Sequence, residues 1–260
     1  MKPIVRRGLG LLLILGCVAV WMVTSSMSVR ARRARTCQGK GTLDVIVADS
    51  LERRFVGKED VAAWLEKEYK AYAGLPLDSV DLGRIERLVE AHSVVRSCEA
   101  WLTDDGILHV ELSQRQPVVR FECGDNGYYA DATGFVFPLQ ERGSADVPVV
   151  DGKIPMNIPK GFKGTPARAE EAAWLQQMIG LVNTLHGSVW EKNIVRISVD
   201  GKKNLSLTPR EGGERFLFGP PVRVKEKLGL MEAYYRSGLA DGGKYRTVDV
   251  RYRKQLVCRK

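Results

Sequence analysis

The spacing of hydrophobic and polar positions changes several times along the chain, and each change marks an element. The first stretch, Gly8 to Met27, has no period at all. It reads GLGLLLILGCVAVWMVTSSM, with no charge and no proline, and nine of its twenty residues are Leu, Ile or Val. At about 1.5 Å per residue a helix of this length covers the roughly 30 Å hydrocarbon core of a bilayer. The apolar side chains favour insertion by roughly 3 to 5 kcal/mol. No later run is comparably long. Lys2, Arg6 and Arg7 precede it and small residues lie near its end, as in a signal peptide. There is no A-x-A cleavage site, and the run exceeds the roughly 7 to 15 residues of a usual signal core. After Leu15-Gly16-Cys17 the apolar run continues through Val18 to Val23, so a retained anchor over 8–27 is expected.

Beyond this stretch the pattern turns periodic. TLDVIVA, residues 42–48, is a short β-rich run. KEDVAAWLEKEYKAY then places Val61, Trp64, Leu65, Tyr69 and Tyr72 at helical spacing. Glu59 and Asp60 sit where the helix dipole favours negative charge. Gly74-Leu75-Pro76 ends this helix. A second helix starts near Asp81, with Leu82, Ile85, Leu88, Val89 and His92 on one face and Asp78, Ser79 or Asp81 available as its cap. Residues 94–102 and 107–115 read as strands on either side of Thr103-Asp104-Asp105-Gly106, because Asp-Gly suits the positive φ of a hairpin turn. Leu108, Val110 and Leu112 alternate with His109, Glu111 and Ser113. Matching that face to Val94, Ala100 and Leu102 places Cys98 inside as a small hydrophobe. Asp104 and Asp105 read as solvated turn residues, not as paired catalytic carboxylates.

Pro117 opens a second region. Residues 118–122 are strand-like, Asn126-Gly127 makes a turn, and YYADATGFVFPL and VPVVDG follow. Asp131 to Gly134 is expected to form a tight structural turn. The proline- and glycine-rich stretch 153–166 is loop. A long helix over 167–186 carries Ala172, Leu175, Met178, Ile179, Val182 and Leu185 as its apolar stripe, and Gly187 follows its end. Strands over 193–199, 204–209 and 215–218 alternate with turns at Asp200-Gly201 and Glu211-Gly212-Gly213. Gly219-Pro220-Pro221 leads into a helix bearing Val224, Leu228, Met231 and Tyr235, and Gly242-Gly243 ends that connection. In the last stretch, Val248, Val250, Tyr252 and Leu256 alternate with Asp249, Arg251, Arg253 and Gln255. This predicts one strand over 247–257 with one buried face.

Charge alters this picture little. The chain carries 40 Lys and Arg against 31 Asp and Glu, a net charge of +9. The excess is dispersed except at Arg30 to Arg35, beside the apolar run, and in Arg251, Arg253, Lys254, Arg259 and Lys260. A basic cluster next to a membrane segment suits anionic headgroups, and no zinc-finger or RNA-binding spacing is present. The arginines after the run outnumber the basic residues before it, so the positive-inside rule alone would keep the large part in the cytoplasm. Five cysteines are too few for a disulfide scaffold. Outside Cys17 there remain Cys37, Cys98, Cys123 and Cys258, which are read as buried or free thiols at no metal-site spacing. His92, His109 and His186 have no metal-ligand spacing, and no nucleophile elbow, P-loop or dinucleotide fingerprint occurs. We expect no enzyme, no cofactor and no metal.

The order β-α-α-β-β in about seventy-five residues is that of a POTRA domain. RFVGKEDV, GLPLDSVDLGRIERLVEAHSVV and AWLTDDGILHVELSQRQPVVRF resemble the POTRA of the FtsQ/DivIB cell-division family, in particular its Bacteroidetes-type members. Asp105, Gly106, Leu108, Val110, Gln114, Arg115 and Pro117 carry the most specific phrase. Tyr129, Asp131, Gly134, Pro138, Leu139, Val147 to Val150 and Gly152 resemble that family's β-rich second domain, and Tyr252, Gln255, Val257 and Cys258 its closing strand. The resemblance implies an α+β protein: cytoplasmic tail (1–7), transmembrane helix (8–27), juxtamembrane linker (28–41), POTRA domain (42–117) and mixed β domain with flanking helices (118–260). It further implies a non-enzymatic scaffold with its bulk in the periplasm, against the arginine count. Its partners would be FtsB-like and FtsL-like coiled-coil proteins and, through them, an FtsW/FtsI-type septal synthase, with no nucleic acid. Docking would proceed by strand addition at an edge. The candidate contact residues are Thr247, Val248, Asp249, Val250, Arg251, Tyr252, Arg253, Gln255 and Val257, with the 224–235 helix behind them. Tyr252 is read either as core or as contact. The strand over 42–48 is a second candidate edge. A POTRA-containing envelope-assembly or secretion chaperone is the alternative, although the chain shows no internal repeat. A membrane-anchored hydrolase would need a catalytic set that is not evident.

Overall fold

The computed structural model describes residues 14–28, 35–39, 42–48, 55–70, 72–124, 126–140, 142–240 and 245–260. The chain divides into two compact units, Met1–Gln114 and Arg115–Lys260. Residues 14–28 are helical. Their large apolar side chains, among them Ile14, Leu15, Val20, Trp21, Met22 and Val23, are exposed. Among the described residues no helix is long and apolar enough to cross a membrane. The rest of the expected span, 8–13, lies outside the described residues, as do the tail 1–7, Arg30, Arg32, Arg33 and Gly242-Gly243.

The first unit contains β1 (Asp44–Val47), α1 (Lys58–Trp64), α2 (Leu82–Glu90), β2 (Val95–Leu102) and β3 (Leu108–Gln114). This is the expected β-α-α-β-β order. The strands lie in the order β1-β3-β2, with β1 parallel and β2 antiparallel to β3. The helix read over 58–72 is shorter than its periodicity indicates. After α1 a π-helical turn, Leu65–Tyr69, closes with Lys70 N–H donating to the Leu65 carbonyl at 3.0 Å, and Lys70 has φ 67°. Asp81 caps α2, accepting from Arg84 N–H at 2.8 Å. The hairpin has the expected register, with Cys98 opposite Leu112. Cys98 is buried, and burial, with Glu90 and Glu86 nearby, pushes its thiol up to about 12. Gly106 has φ +86°, and a Cβ there would collide with the Thr36 carbonyl. That carbonyl belongs to a segment read as linker. Residues 35–38 are tied to the hairpin turn, with Gln38 N–H donating to Gly106 O at 2.7 Å and Cys37 buried.

The outer edge of β2 is closed from within its own domain. Cys98 N–H donates to Glu90 Oε1 and Ala100 N–H to Glu86 Oε1, both at 3.0 Å. Two carboxylates from α2 thus occupy backbone donors that would otherwise template another strand.

The second unit forms, among the described residues, a nine-stranded mixed sheet. Its strands are β4 (Pro117–Cys123), β5 (Asn126–Asp131), β6 (Val136–Pro138), β7 (Val149–Gly152), β8 (Ile194–Val199), β9 (Leu205–Pro209), β10 (Arg215–Gly219), β11 (Thr247–Asp249) and β12 (Val257–Arg259). They lie in the order β12-β11-β10-β9-β8-β7-β4-β5-β6. Helices α3 (Ala169–Leu185) and α4 (Val224–Arg236) cover one face. Leu175, Met178, Ile179, Val182 and Leu185 of the expected α3 stripe are buried in one cluster with Val119, Phe121, Ile197, Leu207, Phe216 and Val248 from the strands and Leu228, Met231 and Tyr234 from α4. Fully burying side chains of this size contributes roughly 1.5 to 3 kcal/mol each. The opposite face is partly polar: Arg120 pairs with Glu122 at 3.3 Å, and Arg196 pairs with Asp151.

The Asp131–Gly134 turn is structural, as expected. Asp131 Oδ1 accepts from the N–H groups of Thr133 (2.9 Å) and Phe135 (3.1 Å), while Oδ2 accepts from Arg115 at 3.0 Å. The outer edge of β6 is closed by residue 164: Val136 and Gly164 exchange backbone hydrogen bonds of 2.8 and 2.9 Å.

Losing an acceptor from a part-buried backbone donor costs about 1 to 3 kcal/mol. Glu86→Ala and Glu90→Ala are therefore each expected to lower unfolding free energy by about 1 to 2 kcal/mol in urea titrations, and the double variant to self-associate on size exclusion. Glu86→Gln and Glu90→Gln, which keep an acceptor oxygen, are expected to remain near wild type.

Candidate docking edge

The sequence reading places the site in one strand over 247–257. The structure corrects this. β11 ends at Asp249, and the chain reverses through 250–256. β12 then pairs back antiparallel, with Thr247 opposite Arg259, Val248 opposite Cys258 and Asp249 opposite Val257. β11 is thus an inner strand, parallel to β10 on its other side, and the edge is β12.

The cause of the reversal is the side chain of Asp249. It is buried and its carboxylate turns back on the next residues. It accepts from Arg251 backbone N–H at 3.1 Å, from Nε at 2.8 Å and from Nη2 at 2.6 Å. The Arg251 side chain lies over Gly219, where φ is +69° and an added Cβ would come within 3.0 Å of Arg251 Cγ. The carbonyl of Arg251 accepts from Arg223 Nη2 at 2.9 Å. Arg223 itself has φ 54° and Lys254 φ 55°, both left-handed. The hydrogen bonds from Arg251 hold the Asp249 carboxyl below the usual carboxylate range.

Beneath this corner lies a buried cation. Lys227 on α4 is fully enclosed, with Nζ donating to the Pro220 carbonyl at 2.6 Å and lying 4.6 Å from the centre of the Phe218 ring. Burial, with Arg223 nearby, lowers its pKa to about 8.

The structure distributes the expected contact residues unevenly. Val248, Asp249 and Val250 are buried and Thr247 is half-buried. Arg251 is exposed but its guanidinium is committed to Asp249. Tyr252, Arg253 and Gln255 are exposed on the reversal, and Val257 is exposed on β12. Tyr252 is 48% accessible, so it is not core despite its alternation with Val248 and Val250. The sequence reading did not place Gly219, Arg223 and Lys227, which shape the corner, at the site, and it took Gly219 only as a helix lead-in and Arg259, which lies on the true edge, only as part of a basic cluster. They are joined only by tertiary contacts, and no local pattern marks them.

The histidines occupy structural settings. His92 stacks on Trp64 with ring centroids 3.5 Å apart, His109 bridges Trp101 and Asp44 across the first sheet, and His186 pairs with Glu191 at 2.9 Å. Among the described residues no group of three or more His, Cys, Asp or Glu side chains could hold a metal ion.

Comparison with known families agrees with this architecture. The POTRA-like domain family matches residues 36–113, and the family described as FtsQ/DivIB, C-terminal related matches residues 116–259. This chain belongs to the FtsQ/DivIB family. The FtsQ/DivIB proteins are non-enzymatic cell-division proteins, so the membership ties the chain to cell division. No curated protein matches it. In FtsQ/DivIB terms the corner at Asp249 and the strand β12 form the far end of the C-terminal domain's sheet.

Two outcomes are expected. Asp249→Asn weakens the charge-assisted bonds of the reversal and lowers stability by about 1 to 3 kcal/mol at pH 7. Because the folded pKa of Asp249 is depressed, this difference is fully present above about pH 4 and is lost as pH falls through the folded value; a series of denaturation curves from pH 7 down into the acid range checks it, the difference narrowing only below about pH 4. Lys227 has the opposite sign. Its unfolded form holds a proton up to about pH 10.5, whereas the folded form releases it near 8, so its burial penalty is full below pH 8 and fades as pH rises to 10.5. The stability of the wild type relative to Lys227→Met is expected to rise by about 2 to 3 kcal/mol between pH 7.5 and pH 10.5.

Proposed function

We propose that this FtsQ/DivIB chain is a membrane-anchored division scaffold whose β12 edge takes up an extended segment of a partner by strand addition. The observation that carries the reading is the asymmetry of the C-terminal sheet. The β6 end is closed by residue 164, whereas among the described residues β12 has no neighbour on its outer side. An open edge offers backbone N–H and C=O groups at one strand spacing, and side chains beside it set specificity. Here those side chains are Tyr252 and Val257, both exposed, with Arg253, Lys254, Gln255 and Arg259 around them. The basic residues blunt pairing between copies and favour an acidic partner segment.

The partners we propose are FtsB-like and FtsL-like coiled-coil proteins, linked through them to an FtsW/FtsI-type septal synthase. An anchor over residues 8–27 accords with the exposed apolar side chains of the helix at 14–28, which lack a protein core to pack against among the described residues. The N-terminus would then be cytoplasmic and both folded units periplasmic at the division septum. The edge strand β1 of the first unit, with Ile46 exposed, is a secondary candidate for the same mode of contact.

Deleting residues 257–260 removes the edge and leaves the inner strand β11 in place. In a detergent pull-down from dividing cells, the tagged full chain is expected to co-purify coiled-coil and septal-synthase proteins. The deleted chain, with an unchanged melting curve, is expected to lose them. Retention of those partners by the folded, deleted chain would sink the proposed edge. Recovery of barrel-assembly or secretion proteins by the full chain would sink the scaffold reading itself.

A further inference from the structure

The C-terminal domain also contains a pocket of about 490 Å³ that shares no residue with the β12 edge. It lies between the turn after α3, the end of β9 and the last turn of α4. Its apolar wall includes Val189, Trp190 and Tyr235, and its rim carries Glu211, Glu232 and Arg236. The wall is rigidly backed. The Trp190 and Tyr235 rings lie 5.7 Å apart, Trp190 meets Phe216 edge-on at 6.1 Å, and the Tyr235 hydroxyl donates to the buried carboxylate of Glu214. Val189, in contrast, is 65% accessible, an apolar side chain left uncovered at the pocket. The indole N–H of Trp190 is buried without an acceptor among the described residues.

The electrostatics select among occupants. The chain as a whole carries +9, yet this rim holds two carboxylates and one cation. Arg236 is already held by Glu232 at 3.5 Å, and Glu211 makes no ion pair among the described residues. Aromatic faces beside carboxylates suit a cation on an apolar stem. The rings attract the charge, the stem covers them, and the carboxylates accept its N–H groups. The volume accommodates one or two side chains, well short of a folded partner.

We propose that this pocket is a recognition site for a lysine or arginine side chain carried on an apolar peptide segment. The stem lies against Trp190 and Tyr235, with the ammonium or guanidinium group at Glu211 and Glu232. The site is additional to the edge contact and stands or falls independently of it.

The test uses the purified full-length chain and three capped tripeptides: acetyl-Leu-Arg-Leu-amide, acetyl-Leu-Glu-Leu-amide and acetyl-Gly-Arg-Gly-amide. The Trp190 indole resonance is followed by NMR. A saturable shift is expected with Leu-Arg-Leu, with binding at least about tenfold weaker for the other two peptides. The Glu211→Gln/Glu232→Gln double variant is expected to lose about tenfold in affinity for Leu-Arg-Leu while keeping its melting temperature, since both side chains are at the surface. Should the double variant unfold, the same comparison is made with wild type at 20 mM and 500 mM salt, where the cationic peptide alone should weaken. The absence of a Trp190 shift, equal binding of Leu-Glu-Leu, or insensitivity to both the carboxylate replacements and salt would overturn the proposal.

Discussion

Every β-sheet has two edges, and the backbone groups along them must be paired, covered or put to use. Much of this chain can be understood from how it treats those edges. In the first unit, β2 is closed by carboxylates reaching across from α2. In the second, β6 is closed by a bridge to residue 164. These are different chemical solutions to one problem: a side chain supplies the acceptor in one case and loop backbone in the other. Against that background the β12 edge, which has no neighbour on its outer side among the described residues and is bordered by an exposed tyrosine and several basic residues, is the one we propose for strand addition.

The open edge depends on a local reversal, and the reversal depends on a buried charge. Asp249 gives up hydration and receives three hydrogen bonds from a single residue, Arg251, so its desolvation is offset within one turn of chain. The cost is spread over the corner. Gly219 must lack a side chain for Arg251 to lie across it, Arg223 adopts a left-handed conformation, and Lys227 is buried against Phe218 with the Pro220 carbonyl as its acceptor. The corner therefore holds several features that would be unfavourable alone and are tolerated because they fix one another.

The sequence was most legible where local chemistry decides structure. Asp-Gly at 105–106 made the hairpin turn, Asp81 made a helix cap, and the stripes of α3 and β3 turned inward as their periods require. It was least legible where the decision lies with a distant partner. Val248, Asp249, Val250, Arg251 and Tyr252 alternate as a continuous strand would. Nothing in that alternation says that Asp249 will be buried and that Arg251 will fold back onto it, because the position of Arg251 is set by Gly219 at the end of β10 and by Arg223 at the start of α4. For the same reason the alternation left Tyr252 open between core and contact, and the structure leaves it exposed. The helix over 58–72 was overextended because periodicity registers which residues are apolar, not where a π turn shifts the hydrogen-bond ladder. The pocket at Trp190 escaped altogether: its wall is drawn from three segments that meet only after folding.

The arrangement of the last two strands also has a mechanical meaning. A partner strand laid along β12 would join a continuous ladder running through β11 and β10 into the middle of the sheet. Tension applied along such a strand acts in shear, so its hydrogen bonds would have to yield together, whereas tension across it would open them one at a time. The corner after β11 is tied by a side-chain bond outside that ladder, from Arg223 at the start of α4 to the Arg251 carbonyl. A chain attached in the way we propose would carry a pulling load along one direction and release readily in another, which would give the contact a sense of direction without any moving part.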